Sequence, residues 1–156
     1  MSENGEITIH QIIAAPVEDV WDALQVQSWL VREVDDIRDM RELNVDRSPG
    51  GEIAERLVSW QVWLKGFELG WQEQQQLDPR AHRIDFRQTE GMFAVYTGSC
   101  GVRAHADGSV VELHLNIETG IPYLAGIVDP VLAAAFSDLA QECLHSLGKS
   151  VVASAQ

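Results

Sequence analysis

The sequence predicts one α+β domain in which a seven-stranded, curved antiparallel sheet wraps a long C-terminal helix and leaves an apolar cavity between them. Three observations lead there. No strong helical period occurs between Ile37 and Thr119, whereas alternation of apolar and polar residues recurs through that stretch. The one long helical period lies at the end of the chain, where Leu132, Phe136, Leu139, Cys143 and Leu147 fall on one face. Five tryptophans stand against two tyrosines and four phenylalanines, which suits an oversized core or a pocket with flat walls.

The elements follow in order. Ile7 to Ile13 reads as a first strand, ended by Ala14-Ala15-Pro16. Proline is tolerated in a first helical turn because its missing N–H would be unpaired there in any case. Val17, Val20, Trp21 and Leu24 then follow at helical spacing, with Glu18 and Asp19 near the positive helix end. Trp29, Leu30 and Val31 form a second short helix. A second strand covers about Ile37 to Asp46, and Ser48-Pro49-Gly50-Gly51 turns the chain. The third runs from about Glu52 to Trp60, with a turn near Trp63-Leu64-Lys65-Gly66.

The fourth strand carries the clearest pattern. Phe67, Leu69, Trp71, Glu73, Gln75 and Leu77 alternate with Glu68, Gly70, Gln72, Gln74 and Gln76. One set faces a covered side and the other faces water. Asp78-Pro79-Arg80 turns into a fifth strand, His82 to Gln88, and Glu90-Gly91 turns again. The sixth strand runs from Phe93 to about His105, Asp107-Gly108 makes a hairpin, and the seventh alternates Val111, Leu113, Leu115 and Ile117 with Glu112, His114, Asn116 and Glu118. Asp129-Pro130 predicts the start of the long helix, with Asp129 as N-cap and Pro130 first in the helix, and its end near Val152.

A chain of 156 residues suits one domain, 1–156, with no repeat, linker or internal boundary. A net charge of −13 opposes nucleic-acid phosphates and anionic lipid surfaces. The basic cluster Arg80, His82, Arg83 and Arg87 reads as a solvated strand face. Two cysteines, a polar and acidic beginning, and no apolar run of about 20 residues predict a cytoplasmic protein without a disulfide framework or membrane span. Five scattered histidines give no zinc spacing, and no phosphate-binding glycine loop or G-x-S-x-G elbow is present, so no metal or other cofactor is expected.

Several segments carry a family resemblance through their order. They are Ala15-Pro16 with Val20-Trp21, Ser28-Trp29, Trp71 through Asp78-Pro79, Gly91-Met92-Phe93, and Gly108-Ser109-Val110-Val111. With them the chain resembles the START/Bet v 1-like (SRPBCC) superfamily, the helix-grip fold, and within it the polyketide cyclase/aromatase and coenzyme Q-binding branch. The resemblance implies a ligand cavity between sheet and helix. In such aromatase/cyclases an arginine and a serine on the fourth strand point into that cavity beside aromatic residues. Aligned on Asp78-Pro79, the aromatic position falls on Trp71, the serine position on Glu73 and the arginine position on Gln75. This chain therefore departs from the family where the chemistry is proposed to sit. Phe93, Tyr96, Cys100 and Leu113 fall on cavity-lining positions.

Glu73 and Gln75 share the covered face with Phe67, Leu69 and Trp71. A carboxylate in an apolar cavity has its pKa raised by desolvation and can shuttle protons in an enolisation, an aldol closure or a dehydration. The alternative is that Glu73 sits at the cavity mouth or pairs with an arginine. His82, one strand over, is the candidate partner in an acid/base pair. Tyr96 offers a phenol to a ligand carbonyl, Tyr123 stands before the long helix as a candidate gate, and Trp29 joins the candidate ligand contacts. Two functions follow. The first is a polyketide cyclase, aromatase or dehydratase that folds a hydrophobic poly-ketone or aromatic molecule, with an acyl carrier protein as a potential partner. The second is a non-catalytic carrier of a quinone, lipid or aromatic product.

Overall fold

The structure is a computed structural model and describes residues 6–120 and 125–154. Its elements in chain order are β1 (Glu6–Ile13), α1 (Val17–Gln25), α2 (Leu30–Glu33), β2 (Ile37–Arg47), β3 (Ile53–Leu64), β4 (Phe67–Asp78), β5 (Arg83–Gly91), β6 (Val95–His105), β7 (Gly108–Glu118) and α3 (Ala125–Ser154). The strands form one seven-stranded sheet in the order β1-β7-β6-β5-β4-β3-β2, every neighbouring pair antiparallel. The two short helices carry the chain from β1, at one edge of the sheet, to β2, at the other.

The expected alternation is present wherever one face is covered. In β4, Leu69, Trp71, Glu73, Gln75 and Leu77 are buried while the residues between them are not. In β3 the buried set is Arg56, Val58, Trp60, Val62 and Leu64. β3 runs through the expected turn at Trp63-Leu64, because Lys65 and Gly66 alone reverse the chain. Both have positive φ, 51° and 84°, as a two-residue hairpin turn of the favoured hand requires.

The long helix begins at Ala125, five residues before Pro130, the expected first helical residue, and Pro130 lies inside it. Asp129 is not its cap. The Asp129 carboxylate is buried and accepts from the Thr119 backbone N–H at 3.0 Å and the Thr119 hydroxyl at 2.6 Å. The acceptor that would have capped a helix instead ties α3 to the end of β7. At 30 residues, α3 is about 45 Å long at 1.5 Å per residue. It packs chiefly on β1 and α1, which leaves space between its inner face and the middle strands.

The Ala15-Pro16 and Gly108-Ser109 segments pin the two ends of that arrangement together. The buried Ser109 hydroxyl donates to the Ala15 carbonyl at 2.6 Å. Gly108 has φ 132°, and a Cβ there would meet the Ile13 carbonyl and, at 2.8 Å, the Ala15 nitrogen. The β6–β7 turn can thus sit against the start of α1 only with glycine at 108.

Candidate functional site

Between α3 and the concave face of the sheet lies a cavity of about 170 Å³. Phe136, Leu139, Ala140 and Cys143 close it from the helix, and Leu24 and Leu30 from the short helices. Its sheet wall includes Trp60, Trp71, Ile84, Phe86, Cys100 and Leu113. Four lining residues bring the polar groups that matter: Gln27, Glu73, Gln75 and Tyr96 with its phenol.

One end of the cavity is an aromatic box. The ring centroids of Trp71 and Tyr96 lie 5.1 Å apart, those of Trp71 and Phe136 5.7 Å apart, and Phe93 stacks on Tyr96 at 5.5 Å. Such offset and tilted contacts add about 0.5–1.5 kcal/mol each beyond burial, so this end is held stiffly.

The polar groups adjoin this box through Trp71 and are linked to one another by Gln75. Glu73 is 3% exposed. Trp71 Nε1 donates to its Oε1 at 2.9 Å, and Gln75 Nε2 donates to its Oε2 at 2.7 Å. Gln75 Nε2 also donates to Gln27 Oε1 at 3.0 Å. Gln75 Oε1 accepts from Arg56 Nε at 2.6 Å, and Arg56 Nη1 donates to the Gln25 carbonyl at 2.6 Å. Burial raises the Glu73 pKa above the ordinary carboxylate range, and the donors Trp71 and Gln75, then Tyr96 and Trp60, pull it part of the way back. Burial holds the Tyr96 phenol well above its usual value, with the Glu73 charge adding to the effect. Tyr96 is therefore a neutral hydrogen-bond donor at physiological pH. The Cys100 and Cys143 thiols, both on the cavity wall, are pushed up to about 12 by burial and stay protonated.

The structure brings together Glu73, Gln75, Trp71, Tyr96, Cys100 and Leu113 on one cavity. Other expected contacts lie off it. Phe67 is 69% exposed, because it sits beside the β3–β4 turn beyond the covered part of the sheet. Leu69 packs in the core on the turn side of Trp71. Phe93 stands behind Tyr96 and Trp71 and stiffens the box without lining the cavity. Trp29 caps the start of α2 and donates to the Ala23 carbonyl at 3.3 Å, which holds the two short helices together. Tyr123 lies outside the described residues.

His82 is a correction. It belongs to the β4–β5 turn with φ 51°, not to strand five, which starts at Arg83. Its Nε2 lies 2.7 Å from Glu18 Oε1, and its ring edge meets Trp21 at 5.7 Å. The turn swings the imidazole out to α1, so it makes no pair with Glu73.

Arg56 was missed by the sequence reading. It is 2% exposed, one of the largest fully buried side chains. The signal was present: Arg56, Val58, Trp60, Val62 and Leu64 form one period-two row, which puts a cation on an apolar face. Burial pulls the Arg56 pKa down while Glu42, 3.7 Å away, and Glu73 push it up. A guanidinium starts high enough to remain charged. Among the described residues no group of three His, Cys, Asp or Glu side chains is arranged to hold a metal ion, and no helix is long and apolar enough to cross a membrane.

The profile of a family described as "Polyketide cyclase / dehydrase and lipid transport" matches residues 5–152. No curated protein sequence matches the chain. Among solved structures, TTHA0849 from Thermus thermophilus superposes with a TM-score of 0.83 at 22% identity, covering 97% of this chain and 99% of that one. The Zhui aromatase/cyclase from Streptomyces sp. R1128 gives 0.75 at 16% identity, covering 97% and 95%. A START superfamily protein from Mycobacterium smegmatis gives 0.72 at 14%, covering 93% and 98%. At these identities the likeness is one of fold, and the fold is the helix grip of the START/Bet v 1 superfamily.

Proposed function

The chain belongs to the polyketide cyclase/dehydrase and lipid transport family, and from that premise we propose that it is an acid–base enzyme that dehydrates or closes a small carbonyl compound held in the cavity. One observation carries the proposal: Glu73, a carboxyl group at 3% exposure with its pKa raised by burial, stands in the cavity wall. A carboxylate whose pKa is raised is a stronger base than an exposed one, as a proton-abstracting group requires. In a β-hydroxy ketone the Glu73 carboxylate takes a proton from the carbon next to the carbonyl. The Tyr96 phenol donates to the carbonyl oxygen as it gains negative charge. When the enolate collapses, the carbon–carbon double bond forms and the carbon–oxygen bond breaks. Protonated Glu73 returns its proton to the departing hydroxyl, so water leaves and the carboxylate is regenerated.

Size narrows the substrate. A cavity of about 170 Å³ is close to the ~150 Å³ that holds a benzene ring and below the ~300–1,000 Å³ of drug-sized ligand sites. A single ring or a short keto chain fits, whereas a long poly-ketone requires the walls to part. Delivery on an acidic acyl carrier protein also has weak support, because Arg83 is already paired with Asp85 at 2.9 Å, leaving Arg80 and Arg87 as the basic contribution of that face.

A second reading, a carrier of a quinone, lipid or aromatic product, is favoured by one specific feature. Each Glu73 oxygen already has a donor, Trp71 or Gln75, as in a carboxylate retained for structure. The two readings separate on turnover of 3-hydroxycyclohexanone, followed by ultraviolet absorbance of the enone, and on deuterium uptake from D₂O next to the ketone. Catalysis by the wild type that is lost in Glu73→Gln, with binding retained, supports the enzyme. No acceleration by the wild type, together with an intact lipid or isoprenoid quinone extracted from protein purified from its native host and identified by mass spectrometry, supports the carrier.

A further inference from the structure

We propose that Arg56 anchors a carboxylate of the cavity ligand, so that the ligand is a small oxo or hydroxy acid whose acid group and reacting carbonyl lie on opposite sides of a ring. The inference rests on the cavity being the ligand site and goes beyond it by naming the ligand's second functional group.

The observation is an unpaired donor. Arg56 Nη2 is buried and has no hydrogen-bond partner among the described residues. Burying a polar group without a partner costs free energy, and a guanidinium carries five N–H donors in a fixed plane. Nε and Nη2 form one edge of that plane, the edge that meets both oxygens of a carboxylate. In Arg56, Nε on this edge bonds Gln75 Oε1 at 2.6 Å. Nη1, on the other side, bonds the Gln25 carbonyl at 2.6 Å and lies 3.7 Å from Glu42. Arg56 itself stands just outside the cavity lining, and its unpartnered corner is on the side of Gln75, which belongs to that lining, so a ligand carboxylate reaches it beside the Gln75 amide.

Charge points to an anion. The carboxylate nearest to the guanidinium is that of Glu42, at 3.7 Å and 40% exposed, so water screens much of its field. Glu73 also acts on the guanidinium, from across the Gln75 amide, but neither carboxylate bonds Nη2, and the Arg56 side chain is 1% exposed. A ligand carboxylate brings the acceptor that Nη2 lacks, and with it a charge in direct contact with the guanidinium. Spacing defines the rest of the ligand. Arg56 faces Gln75 across the sheet and Val58 faces Glu73, so the anchor and the acid are two residues apart along the strands, roughly 7 Å at about 3.4 Å per residue. That span matches two substituents facing away from each other on a six-membered ring.

The test compares 4-oxocyclohexanecarboxylate with its neutral isostere 4-oxocyclohexanecarboxamide, titrated by calorimetry into the wild type, Arg56→Met and Glu42→Gln. The wild type is expected to bind the acid at least tenfold tighter than the amide, and Arg56→Met to lose that preference. Glu42→Gln changes a half-exposed residue outside the cavity lining and remains informative if Arg56→Met does not fold. Removing its competing charge is expected to raise the acid-to-amide ratio several-fold. Equal binding of acid and amide by the wild type, a preference that survives Arg56→Met, or a ratio unchanged in Glu42→Gln would overturn the anchor while leaving the cavity reading in place. Failure of both probes to bind any form of the protein would overturn the anchor and the cavity reading together.

Discussion

Arg56 and Gln75 stand directly opposite one another in the β3–β4 register, and their side chains bond along that line, Nε to Oε1 at 2.6 Å. The amide of Gln75 passes the connection on to Glu73 and to Gln27, between the two short helices. One side chain thereby joins a buried cation, a buried acid and the segment that covers the cavity. The consequence is coupling: a change at any of the three is felt at the other two, because Gln75 has no other orientation that satisfies all its partners.

Gln75→Leu is expected to lower stability by about 2–3 kcal/mol, since it leaves a charged donor on Arg56 and an acceptor on Glu73 without partners in the interior. Combining it with Arg56→Met is expected to cost less than the sum of the two single changes, because the double variant removes the orphaned guanidinium as well. Urea unfolding of the four proteins measures both effects. Strict additivity would mean that the two side chains act independently.

Glu73 makes stability fall as pH rises. Its folded-state pKa is raised by burial, so the unfolded chain releases the proton first, near the ordinary glutamate value of about 4.3. From there up to the raised folded value the unfolded state binds fewer protons, and stability declines with pH. Above the folded value the loss levels off. Glu73→Gln removes this component, so the difference in unfolding free energy between wild type and variant is expected to shift across that window and to be flat on either side. A difference that stays constant with pH through the window would show Glu73 to titrate as an exposed glutamate.

Ala140 faces the cavity from α3. Ala140→Leu is expected to fill much of the void, abolishing uptake of a ring-sized ligand while leaving the melting temperature unchanged or higher, since apolar volume is added to empty space instead of to a packed core. Calorimetric titration with cyclohexanone and a thermal melt report the two effects separately. Undiminished binding with a lowered melting temperature would mean that the ligand occupies another place and that the site around Ala140 is already full.

The sequence alone determined the order of the elements, the antiparallel sheet and the inward face of the fourth strand. Period two along a strand is a property of the backbone, so placing Trp71 inside placed Glu73 and Gln75 inside with it. What period cannot supply is depth along the strand and the identity of the neighbour. Phe67 shares the face of Trp71 yet stands in water, because the cover ends before the β3–β4 turn. His82 follows the same chain into a turn whose positive φ sends its ring to α1. Asp129-Pro130 looks like a helix start in isolation, but Thr119 competes for the carboxylate and the helix begins a turn earlier. Arg56 and Gln75 are 19 positions apart, and only strand pairing sets them face to face. Whether a buried polar residue is a partner, an orphan or a catalyst depends on groups that come from other elements, and tertiary structure alone decides which of these meet.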